Sequence, residues 1–194
     1  MKKQLIAVVS ALAMTFTSLP CVSIATENVP KPVVQYTFDG NKQLADQNGK
    51  NELKLSGGAS VTDDGNKGKG LLLDGTDGYA ELPDNILSSD MTITTWVKIN
   101  KFTTWGRVFD FGTDSNQNFF FAPYSGGASR VEIKNGATVD TMDCTQETAK
   151  DWVNYAITIK GDTVSYYRNG RLIKSKSGIK DISELTNTAN YIGK

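Results

Sequence analysis

The sequence predicts an all-β protein, a sandwich or barrel of many short strands. Three observations lead there. Apolar runs of three to nine residues are separated throughout by Gly, Asn and Asp. The two longest runs alternate apolar and polar residues with period two. No stretch of length carries helical periodicity.

The elements follow in chain order. Val33–Phe38 reads as the first strand, after a polar 26–32 linker containing Pro30 and Pro32. Leu71-Leu72-Leu73 is a short buried strand ended by the Asp74-Gly75 turn, and Tyr79–Leu82 is the next. In Met91–Ile99, Met91, Ile93, Thr95, Val97 and Ile99 share one face, and Thr92, Thr94, Trp96 and Lys98 the other. Val153–Ile159 repeats this pattern, with Val153, Tyr155, Ile157 and Ile159 against Asn154, Ala156 and Thr158. Asn169-Gly170 lies between two strand-like runs, Val164–Tyr167 and Arg171–Ile173. Both turn residues tolerate positive φ, so the pair marks a hairpin. Gly161-Asp162 marks a second turn and makes 152–175 a three-strand meander. Residues 181–185 suit one helical turn, capped by Asp181 or Ser183.

The chain has 194 residues, with 21 basic and 21 acidic side chains. That length suits one domain able to bury a core without covalent staples. Lys2 and Lys3, the apolar stretch Leu5–Phe16, and Ser23-Ile24-Ala25 have the order of an export signal cleaved after Ala25. The apolar stretch is too short for a comfortable membrane span. Pro20 before Cys21 argues against lipid attachment. The mature chain would begin at Thr26 and carry two more acidic than basic residues. The expected location is therefore secreted or cell-surface, with no membrane contact after cleavage and no nucleic-acid partner. Cys144 is then the one remaining cysteine, so no internal disulfide forms, and it reads as an inert core residue.

The sequence contains no histidine. This excludes Ser-His-Asp and Cys-His catalysis, imidazole zinc sites and histidine pH switching. Any metal would sit among oxygens, which points to calcium. Asp39, Asp46 and Asn48 are the candidate ligands, grouped in one Gly-containing stretch; the alternative is ordinary turn chemistry. Asp63-Asp64-Gly65-Asn66 and Asp74–Gly78 read as turns.

Read in order, YTFDG (36–40), LADQNG (44–49), GKGLLLDGTDGYAELP (68–83), MTITTWVKI (91–99), WGRVFDFG (105–112), WVNYAITIKGDTVSYYRNGRLI (152–173) and NYIGK (190–194) resemble laminin-G-like domains of bacterial secreted proteins. These belong to the concanavalin-A-like jelly rolls. The resemblance covers nearly all of 33–194 and implies a two-sheet antiparallel jelly-roll sandwich. Family members continue past the final IG to a strand lying beside the first. That strand is expected to be missing here, leaving Val33–Phe38 as an unpaired edge and the chain as part of a longer protein or a monomer.

WGRVFDFG is similar to modules appended to arabinan- and xylan-degrading glycoside hydrolases. This implies a non-catalytic, lectin-like accessory module holding a secreted bacterial enzyme on its polysaccharide. A structural or adhesive spacer of a surface protein is the alternative. Glucanases of this fold carry paired carboxylates on one strand, and no such spacing occurs here, so any hydrolase activity is expected in another domain. Sugar faces stack on exposed aromatic rings while polar groups take the hydroxyls. Trp105, in the loop-like FTTWGR, is the leading candidate; Tyr124 in APYSGG, Arg107 and Asn118 join it. Trp96 and Trp152, in strand patterns, are expected in the core. Phe119-Phe120-Phe121 cannot all face inward, so one must be exposed or covered by a loop.

Overall fold

The computed structural model describes residues 31–194, so the export signal and most of the 26–32 linker lie outside the described residues. Thirteen strands are formed: β1 Lys54–Ser56, β2 Ser60–Thr62, β3 Gly70–Leu72, β4 Tyr79–Leu82, β5 Met91–Lys98, β6 Phe109–Asp114, β7 Gln117–Ala122, β8 Ala128–Asn135, β9 Thr138–Thr145, β10 Trp152–Lys160, β11 Thr163–Arg168, β12 Arg171–Ser177 and β13 Ala189–Ile192. One sheet runs β1-β4-β13-β6-β7-β8-β9, a second β12-β11-β10-β5, and β2-β3 form a small ribbon. All pairings are antiparallel. This is the two-sheet sandwich that the alternating runs predict.

The core lies between the two large sheets. Phe109, Phe111, Phe119, Phe121, Val131, Ile133 and Met142 face inward from one; Val153, Tyr155, Ile157, Ile159, Val164 and Tyr166 face inward from the other. Phe121 meets Tyr155 at 5.1 Å and Tyr166 at 5.0 Å between ring centroids, which locks sheet to sheet. Ile179, Ile182 and Leu185 are also buried in this core. The 3-10 turn Ile182–Glu184 is capped by Asp181, whose carboxylate accepts from Ser183 N at 2.9 Å. Asn169 (φ 49°) and Gly170 (φ 75°) take the two left-handed positions that the β11–β12 hairpin needs.

Two expectations require correction. Val33–Phe38 forms no strand. It runs alongside Gln47 and Asn48, through Gln47 N to Gln35 O (2.9 Å) and Asn48 Nδ2 to Val33 O (3.1 Å), but no ladder develops. Phe38 at φ 62° ends the extended run, and the edge of the large sheet is β1 instead. Trp96 and Trp152 are not core residues. Trp96 is 50% exposed and Trp152 half-buried, because β5 and β10 turn Met91, Ile93, Val97, Val153 and Tyr155 inward and so present both indoles on the outer face.

Cys144 is half-buried and unpaired. Burial, the largest influence, raises its thiol pKa, consistent with an unreactive residue.

Glu147 is a carboxylate with 2% exposure at the edge of this core. It accepts from the backbone N–H groups of Thr148 and Ala149, both at 2.8 Å, and pairs with Arg168 at 3.3 Å. Burial pushes its pKa up, but those N–H groups and the Arg168 charge outweigh burial and hold it below the usual value. A depressed carboxylate adds stability above its unfolded pKa and loses it as pH falls through the folded one. Glu147→Gln should lower the melting temperature at neutral pH, with a cost of about 1–3 kcal/mol. The gap to wild type should close below about pH 4. Paired thermal melts across pH 3–7 measure this.

Candidate functional site

The outward residues of the seven-stranded sheet form cross-strand rows. One runs Lys54–Glu81–Tyr191–Asp110–Phe120–Glu132–Thr141, and a neighbouring one Ala189–Gly112–Asn118–Lys134–Val139. Inward Phe109, Phe111, Phe119 and Phe121 dictate this, since period two sends Asp110, Asn118 and Phe120 to the opposite face. Phe120 is nonetheless only 2% exposed. It is the phenylalanine of the triplet that a loop covers: the Arg107 guanidinium lies 4.0 Å over its ring, and the Trp105 ring meets it edge-on at 6.4 Å.

Two loops hold that cover. Trp105 N donates to Tyr124 O at 2.9 Å, Gly106 N to Thr103 O at 2.9 Å, and Ser125 N to Ala128 O at 2.7 Å. Trp105 itself sits at φ 67°, a region unfavourable for a bulky residue. Its ring stays 44% exposed, with the Arg130 guanidinium 5.2 Å from its centroid. Arg130 in turn bonds Asp143 in a two-point fork at 2.6 and 2.8 Å and lies 3.5 Å from Glu132.

Beside this stack is a shallow depression of about 200 Å³, lined by Arg107, Asp110, Gly112, Asp114, Asn118 and Tyr191 among others. Gly112 has no room for a side chain, because a Cβ there would lie 2.0 Å from the backbone carbonyl oxygen of Gln117 on the paired strand. Arg107 is ion-paired with Asp110. Burial raises the Asp110 carboxyl pKa above its ordinary value, against the opposing charges of Arg107 and Lys194. Lys194 Nζ lies 3.8 Å from the Tyr191 ring centroid and 4.5 Å from that of Tyr79.

Three of the four sequence-predicted residues therefore meet on one face. Arg107 and Asn118 line the depression; Trp105 is not among the lining groups and joins it only through the shared Phe120–Arg107 stack. Tyr124 contributes its carbonyl, which anchors Trp105; its side chain is not among the lining groups. Asp110, Tyr191 and Phe120 were not singled out from the sequence. The alternation in VFDFG and NYIG places Asp110 and Tyr191 opposite the inward residues, which is the signal that identifies them.

The calcium set does not assemble. Asp46 Oδ1 accepts from Lys50 N (2.8 Å) and Asn51 N (3.1 Å), and its Oδ2 from Asn51 Nδ2 (2.9 Å). Asp39 accepts from Lys69 N at 3.0 Å, and Asn48 donates to Val33 O. Each side chain is committed to a different partner. Among the described residues, no group of three or more Asp, Glu, Cys or His side chains is arranged to hold a metal ion. As placed, the three side chains make the hydrogen bonds of ordinary turns and loops.

Arg107→Ala should uncover Phe120 and leave Asp110 without its partner, at a cost of about 1–3 kcal/mol near neutral pH. An acid whose folded pKa is raised is best tolerated below its unfolded pKa and loses stability as pH rises through the folded one. The Arg107→Ala deficit should therefore be largest at neutral pH and smaller near pH 4. Thermal melts of both proteins at the two pH values check this.

Comparison with known proteins agrees with the architecture. The family profile of the concanavalin A-like lectin/glucanases superfamily matches residues 74–194. An α-L-arabinofuranosidase of Bifidobacterium longum subsp. longum is 27% identical over 195 aligned residues, covering 85% of this chain; the chain spans 18% of that enzyme's length. Domain 4 of AbnA, a GH43 extracellular arabinanase from Geobacillus stearothermophilus solved with arabinotriose, superposes with a TM-score of 0.68 at 22% identity. That match covers 81% of this chain and 80% of that one. The binding domain of botulinum neurotoxin DC, solved with rat synaptotagmin II, gives 0.63 at 14% identity, over 83% of this chain and 43% of that one.

Proposed function

We propose that this chain, which belongs to the concanavalin A-like lectin/glucanases superfamily, is a non-catalytic carbohydrate-binding module of a secreted bacterial polysaccharide-degrading protein. Its polymer is of the arabinan or xylan type. One observation carries the reading: a depression of about 200 Å³ on the outer face of the seven-stranded sheet, with Tyr191 in its wall and the part-exposed Trp105 on the same face beyond the Arg107–Phe120 stack. Aromatic faces next to a few fixed polar groups are what a sugar ring requires. The arabinofuranosidase and arabinanase relatives support the polymer class and the extracellular setting.

The same geometry favours holding a glycan over cleaving it. Glycosidic hydrolysis needs two carboxyl groups facing each other across the bond. Asp110 and Glu132 share a row, but Phe120 stands between them under Arg107. Each is also paired with an arginine, Asp110 with Arg107 and Glu132 with Arg130.

Titration of the purified chain with arabinan, xylan and glucan oligosaccharides, followed by calorimetry and thermal shift, tests the proposal. Saturable binding to one class is expected, with a rise in melting temperature. Trp105→Ala should weaken it about tenfold, about 1.4 kcal/mol. A folded protein that ignores every glycan would instead fit a structural or adhesive spacer.

A further inference from the structure

A strand at the margin of a sheet leaves half of its backbone groups without a ladder partner, and folded proteins cover, shorten, bulge or charge such edges. The two large sheets end on β1, β9, β12 and β5. β9 and β12 lie against each other, tied by Lys176 to Asp140 at 3.0 Å and by Lys174 Nζ to Asp143 O at 2.9 Å. β1 is only three residues long. β5 has no such treatment. It runs for eight residues, pairs with β10 without a bulge, and contains no proline and no inward charge.

The direction of its free groups follows from β10. Asn154 turns its backbone toward Asn169: Asn169 N donates to Asn154 O at 2.8 Å, and Asn154 N donates to Asn169 Oδ1 at 2.9 Å. Its neighbours Val153 and Tyr155 therefore face β5, where Val97 and Thr95 stand opposite. Met91, Ile93, Thr95 and Val97 thus bond β10, while Thr92, Thr94, Trp96 and Lys98 aim their N–H and C=O groups at the open margin. Among the described residues no strand pairs with that margin, and the Trp96 carbonyl accepts only the Thr95 hydroxyl, at 3.3 Å. The side chains agree. Met91, Ile93 and Val97 face the core yet stay half-buried, whereas Ile159, Ile157 and Val153 opposite them are 2–4% exposed. Backbone and side chains alike are completed by one more antiparallel strand beside β5.

A second copy of β5 has the pattern of that strand. Free groups must face free groups and inward residues must face inward ones, so register can change only in steps of two. One alignment about a two-fold axis sets Thr94 against its own copy, Thr92 against Trp96, and Met91 and Ile93 against Val97 and Thr95. It also sets Asp90 opposite Lys98 at both ends. Lys98 has no ion pair among the described residues, and Asp90 commits one carboxylate oxygen, to Gly161 N at 2.7 Å, leaving the other. Sliding by two residues either way separates these charges.

We propose that the chain forms a two-fold dimer through β5, with Thr94 on the axis and Asp90 paired to Lys98 of the second copy, joining the two four-stranded sheets into one. The proposal is independent of the glycan-binding reading. It leaves the depression, on the outer face of the other sheet, open in both copies.

Sedimentation equilibrium of the purified chain from about 5 µM to about 500 µM tests it, a range chosen because one strand pair is smaller than the standard interface of about 1,200–2,000 Å². The mass should climb from monomer toward dimer and stop there. Thr94→Pro removes a donor at a margin where the fold tolerates proline, and should stay monomeric with a cooperative melt. Lys98→Glu, which faces Asp90 with a like charge, should weaken association about tenfold, and added salt should narrow that gap. Register is read by cross-linking in a chain carrying Cys21→Ser and Cys144→Ser. Thr94→Cys should form a disulfide under mild oxidation, since facing Cα atoms about 5.5 Å apart lie within its range. Thr92→Cys, whose two copies lie about 14 Å apart, should not.

A chain that stays monomeric at every concentration, as the sequence reading expects, overturns the proposal. So does a dimer that persists in folded Thr94→Pro, or cross-linking at Thr92→Cys and not at Thr94→Cys. Should Thr94→Pro fail to fold, association unchanged by Lys98→Glu with no cross-link at Thr94→Cys overturns it equally. All of these leave the glycan-binding reading standing.

Discussion

The large sheet and the depression on it both hang on two buried asparagines. Asn190 lies in β13, the strand inserted between β4 and β6, and is wholly inaccessible to solvent. Its Nδ2 donates to Pro83 O at 2.8 Å and Asn187 O at 3.1 Å, and its Oδ1 accepts from Gly112 N at 3.2 Å. Asn187 continues the knot: its Oδ1 accepts from Ile86 N (2.8 Å), its Nδ2 donates to Leu185 O (3.1 Å), and its carbonyl accepts from Asn85 N (2.9 Å). Buried backbone groups must find partners somewhere. Here the irregular segment after β4, the approach to β13 and the bulge in β6 are satisfied by side-chain amides in place of a regular ladder. Gly112 belongs to both worlds, bonded to Asn190 within the sheet and lining the depression outside it.

From that anchor, period two does the rest. Across β6, β7, β8 and β9 it turns Phe109, Phe111, Phe119, Phe121, Val131, Ile133 and Met142 inward and Asp110, Asn118, Glu132 and Lys134 outward, so one alternation builds the core and furnishes the face. Phe120 is a phenylalanine on that outer face. Its burial beneath Arg107 and Trp105 converts a misplaced apolar ring into a mounting for the loop that carries Trp105. The unfavourable φ of Trp105 is held by the Tyr124 carbonyl and this stack, a small local cost tolerated where surrounding contacts over-determine the conformation.

The legible part of the fold was the part governed by local pattern. Met91–Ile99, Val153–Ile159 and the Asn169-Gly170 hairpin formed as periodicity and turn chemistry require. Val33–Phe38 has strand-like composition, yet a strand also needs a neighbour in register, and sequence pattern is silent about partners. Membership of a strand pattern puts Trp96 and Trp152 in the core, whereas the alternation within those strands places them outside; the period is the better guide. Asp39, Asp46 and Asn48 are close in sequence, but each oxygen or amide is drawn to a different backbone group. Loop position singles out Trp105, with Arg107 and Asn118 as polar groups near it in sequence, and the structure places these three on one face. It could not supply Asp110 and Tyr191, which reach the same face only through the pairing of β6 with β13.

Electrostatics decides what such a face can recognise. Arg107 and Arg130 each pair with an acid on this face, and Arg130 serves Glu132 and Asp143 at once. Those pairs cancel much of each other's field at a distance. On the proposed reading, recognition falls to short-range terms, ring stacking at Trp105 and hydrogen bonds to the polar wall. The Asn190 knot behind Gly112 then matters because a shallow site selects only as well as its wall is held in place.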